Sequence, residues 1–104
     1  MFVIGVGEMM ETNYIILLVT TANKQEAENI AQSLLEARLI ACANIISAVS
    51  SRFIWAEKID HADEVLVLMK SRRDLFDEVY AKVKSLHSYE VPEVLALPIV
   101  AGSE

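Results

Sequence analysis

Glycine and proline are scarce in this chain, three and two among 104 residues. The glycines (Gly5, Gly7 and Gly102) lie near the two ends, so no glycine-rich loop exists to cradle a phosphate. There is one cysteine, Cys42. It cannot staple its own chain, which excludes a disulfide framework and fits a reducing compartment such as the cytoplasm. No CxxC or HxxxH spacing occurs, and the two histidines, His61 and His87, support no Ser–His–Asp arrangement on spacing. Basic residues are in deficit: Lys plus Arg is 9, Asp plus Glu is 15, and the formal net charge is −6. A chain so balanced is a poor partner for nucleic-acid phosphates or anionic lipid, and both are set aside. Long apolar runs are missing too. Residues 1–10 are mildly apolar, but they lack a positive leading region, carry Glu8, and are too short to span a bilayer. Residues 1–12 read as a loose N-terminal extension. Residues 13–104 read as a single domain, the only one this length accommodates.

Apolar residues are in surplus, 54% of the chain against about 45–50% for an ordinary domain. A small domain has much surface and little interior, so the surplus is expected to be buried between subunits. Tyr14 to Thr20 (YIILLVT) is short, β-branched and apolar throughout, which predicts a strand covered on both faces. Asn23 with Glu26 forms a capping-box pattern. Ala27, Ile30, Ala31, Leu34 and Leu35 then recur at helical spacing. Ile40 to Trp55 is long for one strand and predicts a bend or bulge near Ser47 to Ser51. Ala56 to Asp63 is polar and reads as the turn into a third strand, Glu64 to Ser71. Leu75, Phe76, Val79, Tyr80, Val83 and Leu86 mark the apolar face of a second helix over 74–86. His87 to Glu93 is a loop, and Val94 to Val100 a last strand that Pro98 places at a sheet edge or near its own end. The order β-α-β-β-α-β with right-handed crossovers gives an α+β, ferredoxin-like antiparallel sheet with two helices on one face and a long β2–β3 hairpin. The other face needs a cover, and a second subunit is the obvious one.

Three local patterns carry a resemblance. They are Ala41-Cys42-Ala43-Asn44-Ile45; Ser51-Arg52-Phe53-Ile54-Trp55 followed by Lys58-Ile59; and Leu86 to Val94 (LHSYEVPEV) followed by Leu97-Pro98-Ile99. With Thr20-Thr21 and Lys70-Ser71-Arg72, their order and spacing resemble the CutA divalent-cation tolerance family from about Tyr14 to about Gly102. The resemblance implies a cytoplasmic homotrimer with long β-arms between subunits, associated with tolerance to copper and other divalent metals. It implies no catalytic activity. Because that trimer is similar to the PII signalling proteins, a small-molecule sensor or signalling scaffold is the alternative. Family members often carry Tyr, Gly and Pro where Phe53, Glu57 and Ser88 stand here.

The candidate sites follow from side-chain chemistry within that frame. His87 follows the second helix, where it suits either a helix C-cap or a copper or zinc ligand. A divalent ion is expected at clefts between subunits, on His87 with Glu90 or Glu93. Cys42 is a soft donor, but its apolar setting favours packing over metal contact. Lys70 ends a buried strand and calls for a counter-charge. Tyr89, Glu90 and Glu93 suit ion pairing with a neighbouring subunit, with acid–base work as the alternative. Trp55, on the hairpin, reads as an interface anchor. Trp55, Lys70 and Tyr89 thus fall at the intersubunit cleft or interface, and no residue is assigned as catalytic.

Overall fold

The computed structural model describes residues 12–103. The reading of residues 1–12 as a loose extension lies outside the described residues except at Thr12. Thr12 is held: its amide and hydroxyl both donate to the Ile99 carbonyl, at 3.1 and 2.8 Å.

Strand β1 (Tyr14–Thr21) leads to helix α1 (Lys24–Glu36), then to strands β2 (Cys42–Trp55) and β3 (Lys58–Arg72). A single 3-10 turn (Arg73–Leu75) opens into helix α2 (Phe76–Leu86), and strand β4 (Val94–Pro98) completes the fold. The strands form one antiparallel sheet in the order β2-β3-β1-β4. This is the ferredoxin-like α+β arrangement that the element order predicts, with β4 at an edge where Pro98 costs no ladder bond.

The pleat sends alternate residues of β1 to opposite faces. Ile15, Leu17, Val19 and Thr21 are buried, and so are Val65, Val67 and Met69 of β3 in register with them. Ala27, Ile30 and Leu34 of α1 and Val79 and Val83 of α2 close over this face. Full burial of such side chains is worth about 1.5–3 kcal/mol each, so these contacts dominate the fold's stability. Helix α1 ends in a Schellman motif, with Leu39 N–H to Leu34 O at 2.9 Å and Arg38 N–H to Leu35 O at 3.1 Å. Arg38 takes the left-handed position (φ 61°) that glycine usually fills. Buried Ser71 ties this turn to β3 through a 2.6 Å bond to the Leu39 carbonyl.

The other face has no cover among the described residues. In register across it lie the row Cys42, Lys70, Ile16, Leu97 and the row Asn44, Leu68, Leu18, Leu95. A third row holds Ile46, Leu66 and Thr20. Leu95 and Leu97 are each 49% exposed.

Beyond that face the hairpin departs from expectation. The pairing slips between Ile46 and Val49, where Ala48 has φ 62°, so the predicted bulge is present. The polar stretch Lys58 to Asp63, read from sequence as part of a turn, is strand instead. Only Ala56 and Glu57 turn the chain, with φ 51° and 65°. The polarity of this stretch marks solvent exposure on a projecting ladder, which pattern alone cannot tell from a loop. The arm beyond the bulge reaches about 20 Å at roughly 3.3 Å per residue. It raises the radius of gyration to 15.0 Å, above the ~13 Å of a compact chain this long.

Two consecutive positive-φ residues are what a two-residue type I′ hairpin requires, and Asn-Gly is the usual solution. Ala-Glu performs the same turn under steric strain. Glu57→Gly is expected to raise stability by about 0.5–1 kcal/mol. Denaturant unfolding at fixed protein concentration measures it, and an unchanged midpoint would refute the strain.

Candidate functional site

The loop after α2 is fastened to three other elements, β1, α1 and β3, through His87, Ser88 and Tyr89. Helix α2 ends with the His87 amide donating to the Val83 carbonyl at 2.9 Å, and the His87 backbone then turns extended. This carries the imidazole into the protein, where it is wholly buried. Its Nε2 lies 2.8 Å from the carbonyl oxygen of Thr20, at the end of β1. Its Nδ1 accepts the Tyr89 amide at 3.0 Å. A carbonyl only accepts and an amide only donates, so the ring is the neutral tautomer protonated on Nε2.

Glu26 completes the fastening. It belongs to the capping box foreseen at the start of α1: Asn23 Oδ1 accepts the Glu26 amide at 2.9 Å, and Glu26 Oε1 accepts the Ala22 amide at 3.4 Å. Its Oε2 accepts the Ser88 amide at 3.1 Å, and Oε1 stands 3.6 Å from His87 Nδ1. One carboxylate thus serves a helix N-terminus and the loop together.

Tyr89 extends the chain of contacts to the base of the arm. Its ring tilts against His87 at 4.7 Å between centroids, and its hydroxyl donates to Glu64 Oε2 at 2.7 Å. Partial burial, reinforced by that carboxylate acceptor and by the negative charges of Glu64 and Glu26, pushes the Tyr89 phenol up to about 12. Glu64 pairs with Val49 in the ladder, immediately past the bulge. The loop therefore joins the end of β1, the start of α1 and the root of the arm.

The remaining sequence candidates are dispersed. Glu90 and Glu93 are exposed beside buried Pro92. Lys70 is exposed on the uncovered face and has no ion-pair partner among the described residues. Cys42 is half-buried next to Lys70, a free thiol 3.9 Å from Asn44 Oδ1, less enclosed than its apolar neighbours in sequence suggest. Trp55 stands 70% exposed at the arm tip. Among the described residues, no three His, Cys, Asp or Glu side chains gather where they could hold a metal. Both His87 nitrogens are already engaged, so within one chain His87, Glu90 and Glu93 do not fit a resident metal ion. His87 is the C-cap residue of α2, as its position suggests, but caps through its backbone amide, while its ring bonds β1 instead of the last carbonyls of α2. Glu26 and Glu64 escape sequence reasoning as loop partners because the contacts join residues 62 and 25 positions apart.

The model of the CutA1 divalent ion tolerance protein family matches residues 15–104. The chain belongs to this family. A CutA of Archaeoglobus fulgidus is 42% identical over 86 residues, covering 83% of each chain. The chloroplastic CutA of Arabidopsis thaliana is 36% identical over 90 residues, 86% of this chain and 50% of that protein. The chain thus spans about half the length of the plant relatives it matches. The crystal structure of the Thermus thermophilus CutA1 superposes with a TM-score of 0.85 at 37% identity, covering 86% of this chain and 87% of that one.

The Tyr89–Glu64 bond can be tested by spectroscopic titration of the phenols. Tyr89 is expected to ionise near 12, and Glu64→Gln to return it toward 10 by removing the nearby negative charge. A phenol raised in the folded state contributes stability that is full below pH 10 and lost as pH rises through about 12. Glu64→Gln should therefore flatten the alkaline fall in stability. A phenol titrating near 10 in both proteins would rule the bond out.

Proposed function

We propose that this CutA-family chain works as a cytoplasmic homotrimer in the tolerance of excess divalent cations, copper among them. The observation that carries the reading is the uncovered apolar face, which continues onto the arm. On the arm tip both faces are apolar and exposed: Trp55 on one, Ile54 (70%) and Ile59 (77%) on the other. A single flat contact between two copies covers one such face, whereas a tip seated between neighbouring copies loses both from water. The half-buried, unpaired Cys42 suits a reducing compartment.

Since one chain gathers no three donors among its described residues, cation contact on this reading is a property of the assembly. It falls at clefts where Glu90 and Glu93 of one copy meet another copy, and the ion is cargo there, not a structural cofactor. His87 acts by fixing the loop that carries these carboxylates.

Light scattering after gel filtration is expected to give a trimer mass with and without copper. Trp55→Ala should raise the dissociation constant of assembly, since truncating a large interface aromatic commonly costs about 2 kcal/mol or more. A wild-type monomer would overturn the oligomeric reading. Calorimetric titration with copper is expected to show weaker binding for the double variant Glu90→Gln, Glu93→Gln, and equal affinity would move the contact elsewhere.

A further inference from the structure

The imidazole of His87 is closed off from solvent and carries its proton on Nε2, which donates to the Thr20 carbonyl at 2.8 Å. The other nitrogen, Nδ1, accepts the Tyr89 amide at 3.0 Å. Nδ1 is therefore the one place on the ring where a second proton can bind. A proton there faces an amide that can only donate, so the ring cannot become charged and keep the Tyr89 bond. Another partner stands within reach of the same nitrogen: Glu26 Oε1 is 3.6 Å away. With the ring neutral, Nδ1 and Oε1 are both acceptors and form no bond. A protonated Nδ1 turns them into donor and acceptor of a charge-assisted one.

The groups around the ring come from every element the loop touches. Helix α1 contributes Glu26, whose side chain is 13% exposed. Strand β1 contributes the Thr20 carbonyl, and α2 the Val83 carbonyl that takes the His87 amide. The loop contributes the Tyr89 ring, and β3 contributes Glu64 behind the Tyr89 hydroxyl. No Lys or Arg pairs with Glu26, Glu64 or His87 among the described residues. The formal charges beside the ring are thus negative. Glu26 also has room for one more donor. It takes the Ala22 amide through Oε1 and the Ser88 amide through Oε2, and a carboxylate offers about four acceptor sites.

We infer that His87 is a proton-operated latch: a proton taken up at Nδ1 exchanges the Tyr89 amide for the Glu26 carboxylate and frees the loop backbone from Tyr89 onward. The ring loses one bond and gains one, and its bond to Thr20 is common to both states. The hold on β1 and α1 therefore persists in the charged state. What changes is the segment beyond, since the Tyr89 amide has a partner on the ring only while the ring is neutral. Imidazole is the side chain that ordinarily changes charge between about pH 5 and 8, which makes it suited to such a device. The latch stands on bonds within one chain and needs neither the assembly nor the cation contact proposed above.

Nitrogen NMR of the labelled protein, taken from about pH 8 to about pH 5, tests the latch on the wild-type chain. The ring nitrogens report protonation directly, and His61, exposed on the arm, is the internal control. At the alkaline end His87 is expected to show a proton on Nε2 alone. On acidification Nδ1 is expected to gain one. At the same midpoint the Tyr89 amide is expected to lose protection from hydrogen exchange by about tenfold or more, after correction for intrinsic rates. Glu26→Gln is expected to move both changes together to lower pH, since it removes the negative charge that receives the new proton. A His87 ring that stays singly protonated throughout overturns the inference. So does a ring that gains its proton while the Tyr89 amide stays protected. Should Glu26→Gln impair folding, the wild-type titration alone decides between these outcomes.

Discussion

Strand β1 is apolar on both faces, and the two helices among the described residues cover only one of them. The rest of the architecture answers that constraint. On the covered side, alternate residues of β1 and β3 meet α1 and α2 in a core without buried unsatisfied side chains among the described residues. On the other side, the leucines of β1, β3 and β4 remain in contact with water. The arm carries the same unsatisfied surface outward. The proposed association would remove that area from water without lengthening the chain, and small domains otherwise stand near the margin of stability.

The loop around His87 shows how a residue type can suggest one role and its surroundings another. A buried imidazole with a main-chain donor on one nitrogen and a main-chain acceptor on the other is held in one tautomer and one orientation. It is occupied by the fold itself. Its role in the fold is mechanical: the same few bonds that seat the ring set the position of Tyr89, and Tyr89 in turn bonds Glu64 at the root of the arm. The root of the arm and this loop are therefore joined by one short chain of hydrogen bonds.

Much of the fold was legible in the sequence because its signals are local. The apolar run of β1, the Asn23 and Glu26 pair and the helical spacing of Ala27 to Leu34 each name an element without reference to the rest. The projecting half of β3 was not legible, since Lys58 to Asp63 has the composition of a loop and becomes a strand only because β2 pairs with it. For the site, sequence found the segment but not its wiring. His87, Tyr89 and Glu90 were singled out by residue type. The bonds to Thr20, Glu26 and Glu64 arise from the crossing of distant elements. No local pattern announces them, and the family resemblance pointed to metal ligation where the fold has used both ring nitrogens.

The strained turn of Ala56 and Glu57 at the end of the arm has a bearing on the life of a newly made chain. Before the proposed assembly forms, such a chain holds out a two-stranded ribbon whose tip is greasy on both sides and sterically ill at ease, the kind of segment that frays first and that proteases and chaperones find. Encounter rate, and hence abundance, then decides whether the ribbon is cut or sheltered. A cell that makes little of this protein would keep less of it than in proportion, and one that makes more would keep nearly all.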